Sequence, residues 1–358
     1  MKKLPFLLAL GALTPALQAP IFAQDAPLAP VQNLAPLADV APFEWRLRLT
    51  AGQKFLITTD TSSQTSQQMP AMPRAKTGLR TETIAKTHMV VEQNVLSSDE
   101  QGARLEMTYR EITQATKSLQ GDKVIYDSEN PPAGMKAMSN ISKSLVGAKI
   151  SYLLSPNGEI SDVQGVEAYL ERLSAGLEKG IEGTPVAAET QKTMRASMAG
   201  FLSPEAIKNF FGSTYRTMPT QAVAPGGSWK YALTMPMMGT SFTQSGESTF
   251  VARENGLVRI TQKGDFSTDA GAEFKVPMGA ARDPKTPAPI TQLDLHGVST
   301  GEASVDEQTG MTMQSRTTQD MEGEMVMSGM TGKGSTLSIP MKMRSESLTS
   351  TVELKTTP

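Results

Sequence analysis

Methionine is the residue type whose number and spacing in this sequence could support a specific binding chemistry. The 358-residue chain contains 22 methionines, most of them in its second half. A spacing of two residues on a β-strand places both thioether side chains on the same face of a sheet. The methionines that this spacing selects as ligand-binding residues are Met235, Met237, Met311, Met313, Met325, Met327, Met341 and Met343.

These methionines allow three interpretations. They could replace leucine and isoleucine in an ordinary hydrophobic core, which remains open. Their unbranched, polarisable side chains could instead line a deformable concavity for an apolar ligand such as a lipid, and our site prediction takes this interpretation. Thioethers also bind Cu(I), but the chain has no cysteine and only His88 and His296 to complete such a site. We therefore predict neither a metal nor another cofactor.

Catalytic chemistry has little support in the sequence. Without cysteine there is no thiol nucleophile, and a Ser-His-Asp triad would have to use His88 or His296. The acidic group Asp320, Glu322 and Glu324 could bind Ca²⁺ or supply an acid and a base. Its spacing follows no calcium loop, and charged strand positions explain it. We predict that the protein is not an enzyme, with dispersed carboxylates as the remaining catalytic hypothesis.

The balance of charge excludes one class of partner. The chain has 34 Lys and Arg against 36 Asp and Glu, a formal net charge of −2. Proteins that bind nucleic acid by its phosphates carry a basic surface. We therefore expect no nucleic acid partner.

The first residues have the three regions of a secretory signal peptide. Lys2 and Lys3 precede an apolar run, and Ile21-Phe22-Ala23 resembles a cleavage site, which predicts a signal peptide over residues 1–23. The alternative is a membrane anchor, but the run is shorter than the roughly 20 residues that a span needs. Residues 24–42 are rich in proline and alanine and predict an extended spacer. We expect an exported protein, periplasmic or extracellular, without a transmembrane segment after signal removal.

Two stretches have the pattern of antiparallel strands, namely residues 43–165 and 222–358. Apolar residues alternate with polar ones from Trp45 to Leu49, and Asn157-Gly158 is a typical hairpin turn. Residues 61–82 are polar and contain two prolines, which predicts a long loop. Pro340 lies in the last apolar stretch and predicts an edge position or a bulge there.

A helical insert separates these stretches over residues 166–221. Val166, Tyr169, Leu170, Leu173 and Leu177 share one helical face. Two further start signals predict about three helices in all. The sequence thus predicts an α+β fold, in which two antiparallel β-rich halves, as curved sheets or half-barrels, flank a central helical insert.

Several short motifs carry a resemblance to a known group. Leu145-Val-Gly-Ala-Lys149, Ser155-Pro-Asn-Gly-Glu-Ile160, Val163-Gln-Gly165 and Pro225-Gly-Gly-Ser-Trp229 resemble uncharacterised exported bacterial proteins of unknown function, over residues 43–265. The resemblance implies fold and location only, since that group has no catalytic residues to transfer. In architecture the chain also looks like periplasmic half-barrel proteins that carry lipids.

We predict a non-catalytic exported envelope protein that binds an apolar ligand, such as a lipid, in a methionine-lined concavity. The alternative is a structural or protein-interaction module of the cell envelope that uses exposed sheet edges and has no small-molecule ligand.

Overall fold

The computed structural model describes the chain in several ranges. They are residues 41–69, 78–121, 123–132, 135–181, 208, 211–212, 215–237, 240–269, 273–275, 290–328 and 336–355. The predicted signal peptide and most of the predicted spacer lie outside these residues, as do the second and much of the third predicted helix.

Thirteen strands account for most of the described chain. Their bounds are β1 Lys54–Met69, β2 Leu79–Asp99, β3 Gly102–Ser118, β4 Val124–Asp127, β5 Lys149–Leu154, β6 Ile160–Gln164, β7 Ser228–Met237, β8 Thr240–Glu254, β9 Leu257–Thr268, β10 Glu273–Lys275, β11 Ile290–Asp306, β12 Thr312–Ser328 and β13 Thr336–Glu353.

All thirteen strands belong to one antiparallel sheet. Its order is β6-β5-β3-β2-β1-β13-β12-β11-β9-β8-β7, with β4 paired to β3 and β10 paired to β11. The α+β prediction of two β-rich halves around three helices is therefore wrong. Strands from both predicted halves join in the middle of the sheet, because β1 pairs with β13 along most of its length. The alternation of residues predicts strands, but it does not identify partners almost 300 residues apart.

Two complete α-helices lie in the described part of the chain, α1 (Lys136–Leu145) and α2 (Val166–Ile181), and a 3-10 turn follows at Tyr215–Thr217. The apolar stripe of α2 is confirmed, since Val166, Tyr169 and Leu173 are buried. Sequence analysis missed α1, whose amino-terminal residue Met135 makes no side-chain capping hydrogen bond. Its preceding turn and polar sequence resemble a loop.

The two faces of the sheet differ sharply. We call the face that carries Phe55, Thr59 and Ser63 of β1 the inner face, and the other the outer face. These three side chains are buried, whereas Asp60 and Gln64, which point to the other side of β1, are exposed. Strand pairing extends this division across the sheet, because side chains in register point to the same side.

The predicted loop over residues 61–82 is wrong at both ends. β1 continues to Met69 and β2 starts at Leu79, and the two strands stay in register from Lys54↔Asn94 to Met69↔Leu79. The error has a physical cause, because the inner-face residues here are Thr61 and Ser63 rather than large apolar residues. Their polarity conceals the strand in the sequence.

One end of the inner face is covered by a large apolar cluster, which we call the base core. It joins β1, β2, β3 and β5 to α2, and its buried members include Leu47, Leu49, Phe55, Val91, Val95, Leu105, Met107, Tyr109, Ile150, Tyr152, Leu154, Val166, Tyr169, Leu173, Phe211 and Met311. A second buried cluster continues beneath β8, β9 and β11, and includes Phe43, Trp45, Phe250, Val258, Ile260 and Val305.

Residues 43–50, the N-terminal segment, connect these two clusters. The alternating burial predicted here is confirmed, but the segment forms only an isolated bridge from Phe43 to Val223. Two loops bind its backbone further along, since Leu47 N donates to Pro156 O and Arg48 N to Thr309 O. The segment therefore packs across the base instead of adding a strand to the sheet.

One turn prediction and one edge prediction agree with the structure. Gly158 N donates to Ser155 O in the turn between β5 and β6, as the Asn157-Gly158 signal indicates. Pro340 pairs with Glu324 of β12, but the pairing of β1 with β13 ends at Gln67↔Met341. Pro340 therefore lies where β13 pairs on one side only, as predicted for a residue without an N–H.

We expect Gly310→Ala to destabilise the protein more than Gly256→Ala. Both glycines have a positive φ, +73° and +76°. A Cβ at Gly310 would overlap the Arg46 carbonyl, whereas a Cβ at Gly256 meets nothing. Conformational strain alone should cost about 1–2 kcal/mol at Gly256, and the overlap should raise the loss at Gly310 above roughly 3 kcal/mol. Urea unfolding measures both, and equal losses would contradict the packing of the N-terminal segment.

Candidate functional site

Four of the eight predicted methionines lie on one surface. Strand register places Met325, Met327, Met341 and Met343 on the inner faces of β12 and β13, at the end of the sheet away from the base core. Met321 lies directly opposite Met343 and joins the same surface. The spacing rule correctly puts members of a pair on one face, and the register brings the two pairs together.

Three side chains that sequence analysis missed complete this surface. Phe242, Phe266 and Leu295 are buried together with Met321, and Leu293, Met341 and Met343 pack against them. We call these seven residues the Met-rich patch. The rings of Phe242 and Phe266 lie 5.0 Å apart between centroids. The patch is formed by residues of strands β8, β9, β11, β12 and β13, so its apolar surface depends on the sheet alone.

The other four methionines divide into two pairs, one in the base core and one on β7. Met311 is 4% exposed and belongs to the base core, and Met313 packs against it. Met235 and Met237 lie on β7 opposite Phe242 and Thr240, and only their backbone position is described. The structure therefore brings Met325, Met327, Met341 and Met343 to one end of the inner face and puts Met311 and Met313 at the other.

A band of hydroxyl groups separates the base core from the Met-rich patch. Hydrogen bonds join Thr59 to Thr349 at 2.9 Å, Thr61 to Ser347 at 3.1 Å and Ser63 to Ser345 at 2.9 Å across β1 and β13. Ser315 and Thr317 continue the band on β12, in register with Thr349 and Ser347. We call these eight residues the hydroxyl belt. The mutual hydrogen bonds satisfy the buried hydroxyls of the six members on β1 and β13.

Charge is excluded from the interior. The buried polar side chains of the described residues are serine, threonine and glutamine, with no Asp, Glu, Lys, Arg or His among them. An unpaired charge would be costly there, since nothing in the belt or the patch could compensate it. The inner face therefore offers neutral hydrogen-bonding groups beside apolar surface.

Glycines on β8, β9 and β11 lie where the backbone of a neighbouring strand leaves no room for a side chain. A Cβ at Gly246, Gly264 or Gly297 would overlap the backbone of a neighbouring strand. Glycine at these positions therefore permits the close approach of the neighbouring backbones.

The outer face carries the charged groups. Lys342 Nζ lies 2.8 Å from Glu322 and Arg344 lies 3.6 Å from Asp320, across β12 and β13. The Lys342 ammonium holds the pKa of Glu322 below its usual value. These exposed cross-strand pairs account for the acidic group that the sequence singles out.

Both histidines also lie on the outer face, but on different strands. His88 Nδ1 is 2.8 Å from Asp60 Oδ1 in an open polar groove of about 380 Å³ that also includes Lys86 and Glu346. His296 lies on β11, opposite Glu322. No group of three or more His, Asp or Glu side chains in the described ranges is arranged to hold a metal ion.

Comparison with known proteins identifies one family. The model of a family of unknown function (DUF6263) matches residues 100–312, more than half of the chain. No curated protein matches the sequence.

Solved structures give only distant likenesses. A lipovitellin structure is 7% identical with a TM-score of 0.38, and the match covers 87% of this chain and 26% of that one. The chain thus spans about a quarter of lipovitellin. OccK9 (OpdG) of Pseudomonas aeruginosa is 8% identical, with a TM-score of 0.22 and coverage of 84% and 98%. An outer membrane channel from Pseudomonas putida is 7% identical with a TM-score of 0.18, and the match covers 88% of this chain and 100% of that one. Scores this low carry no functional argument.

Among the described residues, no helix has the length and apolar character required to span a bilayer.

We expect the stability of the protein to fall as the pH rises from about 10 toward 12. Burial raises the pKa of all six tyrosines, to about 12 for Tyr109, Tyr126 and Tyr215. The unfolded chain releases these protons first, so alkali favours unfolding. Tyr109 alone should account for roughly 2–3 kcal/mol.

Ultraviolet absorbance of tyrosinate, recorded together with circular dichroism, checks this expectation. Tyrosinate should appear only as the fold is lost. Ionisation near pH 10 in the intact protein would contradict the burial of these side chains.

Proposed function

We propose that this chain, which belongs to the family of unknown function DUF6263, binds an apolar ligand such as a lipid on the inner face of its sheet. The Met-rich patch is the observation that carries this proposal. It gathers seven apolar side chains on one surface, at the end of the sheet opposite the base core. Three of them, Leu293, Met341 and Met343, are only partly buried and so retain surface for a ligand.

The base core is a less suitable place for a ligand. Its space is occupied by α2 and the N-terminal segment, which contribute Val166, Tyr169, Leu173, Leu47 and Leu49. The Met-rich patch has strand residues only. Because methionine is flexible and polarisable, its side chains can adapt to chains of irregular shape.

Burial of hydrocarbon would supply enough free energy for binding. Each methylene group removed from water contributes about 0.8 kcal/mol. About ten such groups on the patch would contribute roughly 8 kcal/mol, which exceeds the lower estimates of the cost of association, about 4 kcal/mol, so no charged anchor is required. The predicted export signal is consistent with a carrier that holds a poorly soluble molecule in an aqueous compartment.

Binding without catalysis is part of the proposal. The carboxylates and histidines of the acidic group and the polar groove lie on the outer face, away from the Met-rich patch. A ligand on the inner face would therefore meet no acid, base or nucleophile from these groups.

The alternative of a protein-interaction module has weaker support. β7 pairs only with β8 in the described sheet and so forms one edge. It contains Lys230 and Pro236, and both residue types discourage the addition of another strand. The edge therefore has features that protect it from pairing.

We expect the double variant Met341→Gln/Met343→Gln to lose bound lipid, while Val298→Gln keeps it. Val298 is 48% exposed and lies on the outer face of β11, so it serves as a matched apolar-to-polar control. Loss of two half-buried apolar contacts should weaken binding roughly tenfold or more. Native mass spectrometry of the purified proteins, followed by solvent extraction, measures lipid occupancy.

Two results would contradict the proposal. One is equal occupancy in both variants, which would place the ligand elsewhere. The other is a wild-type protein that takes up no lipid or alkane when either is supplied in excess.

A further inference from the structure

We propose that the ligand is an uncharged amphiphile whose hydroxyl, ester or amide group hydrogen-bonds to Ser315 and Thr317 while its hydrocarbon chain lies on the Met-rich patch. This inference rests on the proposed function and adds the chemical class of the ligand. It is carried by the two hydroxyls, the neighbouring Gly301 and Gln262, and the lack of charged residues among the buried residues that the structure describes.

Ser315 and Thr317 are the unusual members of the hydroxyl belt. Their side chains are 1% and 9% exposed, and neither Ser315 Oγ nor Thr317 Oγ1 has a hydrogen-bond partner within the described structure. Their neighbours Thr349 and Ser347 are paired with Thr59 and Thr61. A buried hydroxyl without a partner costs roughly what a lost hydrogen bond costs. These two groups are therefore available to a polar group that enters the interior.

Gly301 places no side chain beside Thr317, and a Cβ there would already meet Arg316 O at 3.3 Å. The two residues are in register on β11 and β12. A Cβ at Gly301 would lie 3.4 Å from Thr317 Oγ1 and 3.6 Å from Gln262 Oε1. Gln262 Nε2 donates to Ser248 Oγ, so Gln262 Oε1 can accept a hydrogen bond from another group. A ligand hydroxyl that reached both groups could donate to Gln262 Oε1 and accept from Thr317 Oγ1.

The ligand must be uncharged at this position. No buried residue in the described ranges carries a charge, so an ionised carboxylate, phosphate or amine would lose its hydration without compensation. A neutral oxygen or N–H needs only the hydroxyl and amide groups that are present.

The two hydroxyls and the Met-rich patch lie along the same strand, β12. Thr317 and Met321 are four residues apart on the inner face of β12, a separation of about 13 Å. Gln319 lies between them on the same face, and its register partners are the small residues Ser299 and Ser345. If the polar group of the ligand lies at Thr317, its extended hydrocarbon chain can run along β12 toward Met321.

We expect wild-type protein to bind 1-hexadecanol more tightly than hexadecane, and hexadecane more tightly than hexadecanoate, at neutral pH. The hydroxyl should contribute about three- to tenfold in affinity. In Ser315→Ala/Thr317→Val the preference for the alcohol over the alkane should vanish while alkane affinity is retained. Thr317→Ser keeps a hydroxyl and should keep the preference. Displacement of a fluorescent apolar probe gives all these affinities, and urea unfolding should show that every variant is folded.

The outcomes separate the two proposals. Equal affinity of wild-type protein for the alcohol and the alkane, or a preference that persists in the double variant, would overturn the polar site and leave the apolar site standing. Tightest binding of hexadecanoate would overturn the assignment to an uncharged ligand. Failure of both the alcohol and the alkane to bind would overturn the proposed function itself.

Discussion

The pairing of β1 with β13 is the interaction on which the architecture depends. Register is continuous from Phe55↔Glu353 to Gln67↔Met341, and it joins the two ends of the described chain at the centre of the sheet. A slip of β13 by one residue would turn Ser347 to the outer face and break its hydrogen bond to Thr61. The paired hydroxyls therefore favour one register without the large apolar residues that usually determine it.

This register also arranges the inner face into three zones. The base core holds helix and strand side chains together, the hydroxyl belt follows, and the Met-rich patch lies beyond it. Because the strands are long, a single face can carry both a packed core and a second apolar surface. The protein thus separates the residues that stabilise the fold from those that we assign to ligand binding, and a neutral polar band lies between them.

Sequence reasoning succeeds where the signal is local. The apolar stripe from Val166 to Leu173 identifies α2, Asn157-Gly158 identifies a turn, and the two-residue spacing of Met341 and Met343 gives their common face. It fails where tertiary contacts decide. Thr61 resembles a loop residue because its hydroxyl is satisfied by Ser347, far away in the sequence. Likewise, the partners of the methionines, such as Phe242, become visible only once strand order and register are known.

The most direct test of this account is the methyl NMR spectrum of isotope-labelled methionine, recorded with and without 1-hexadecanol. Assignment by single substitutions would identify the signals of Met321, Met341 and Met343 in the Met-rich patch and those of Met107 and Met311 in the base core. We expect the alcohol to shift the first three signals and to leave the last two unchanged. Shifts confined to Met107 and Met311, or no shift at any methionine, would contradict the assignment of the Met-rich patch as the ligand surface.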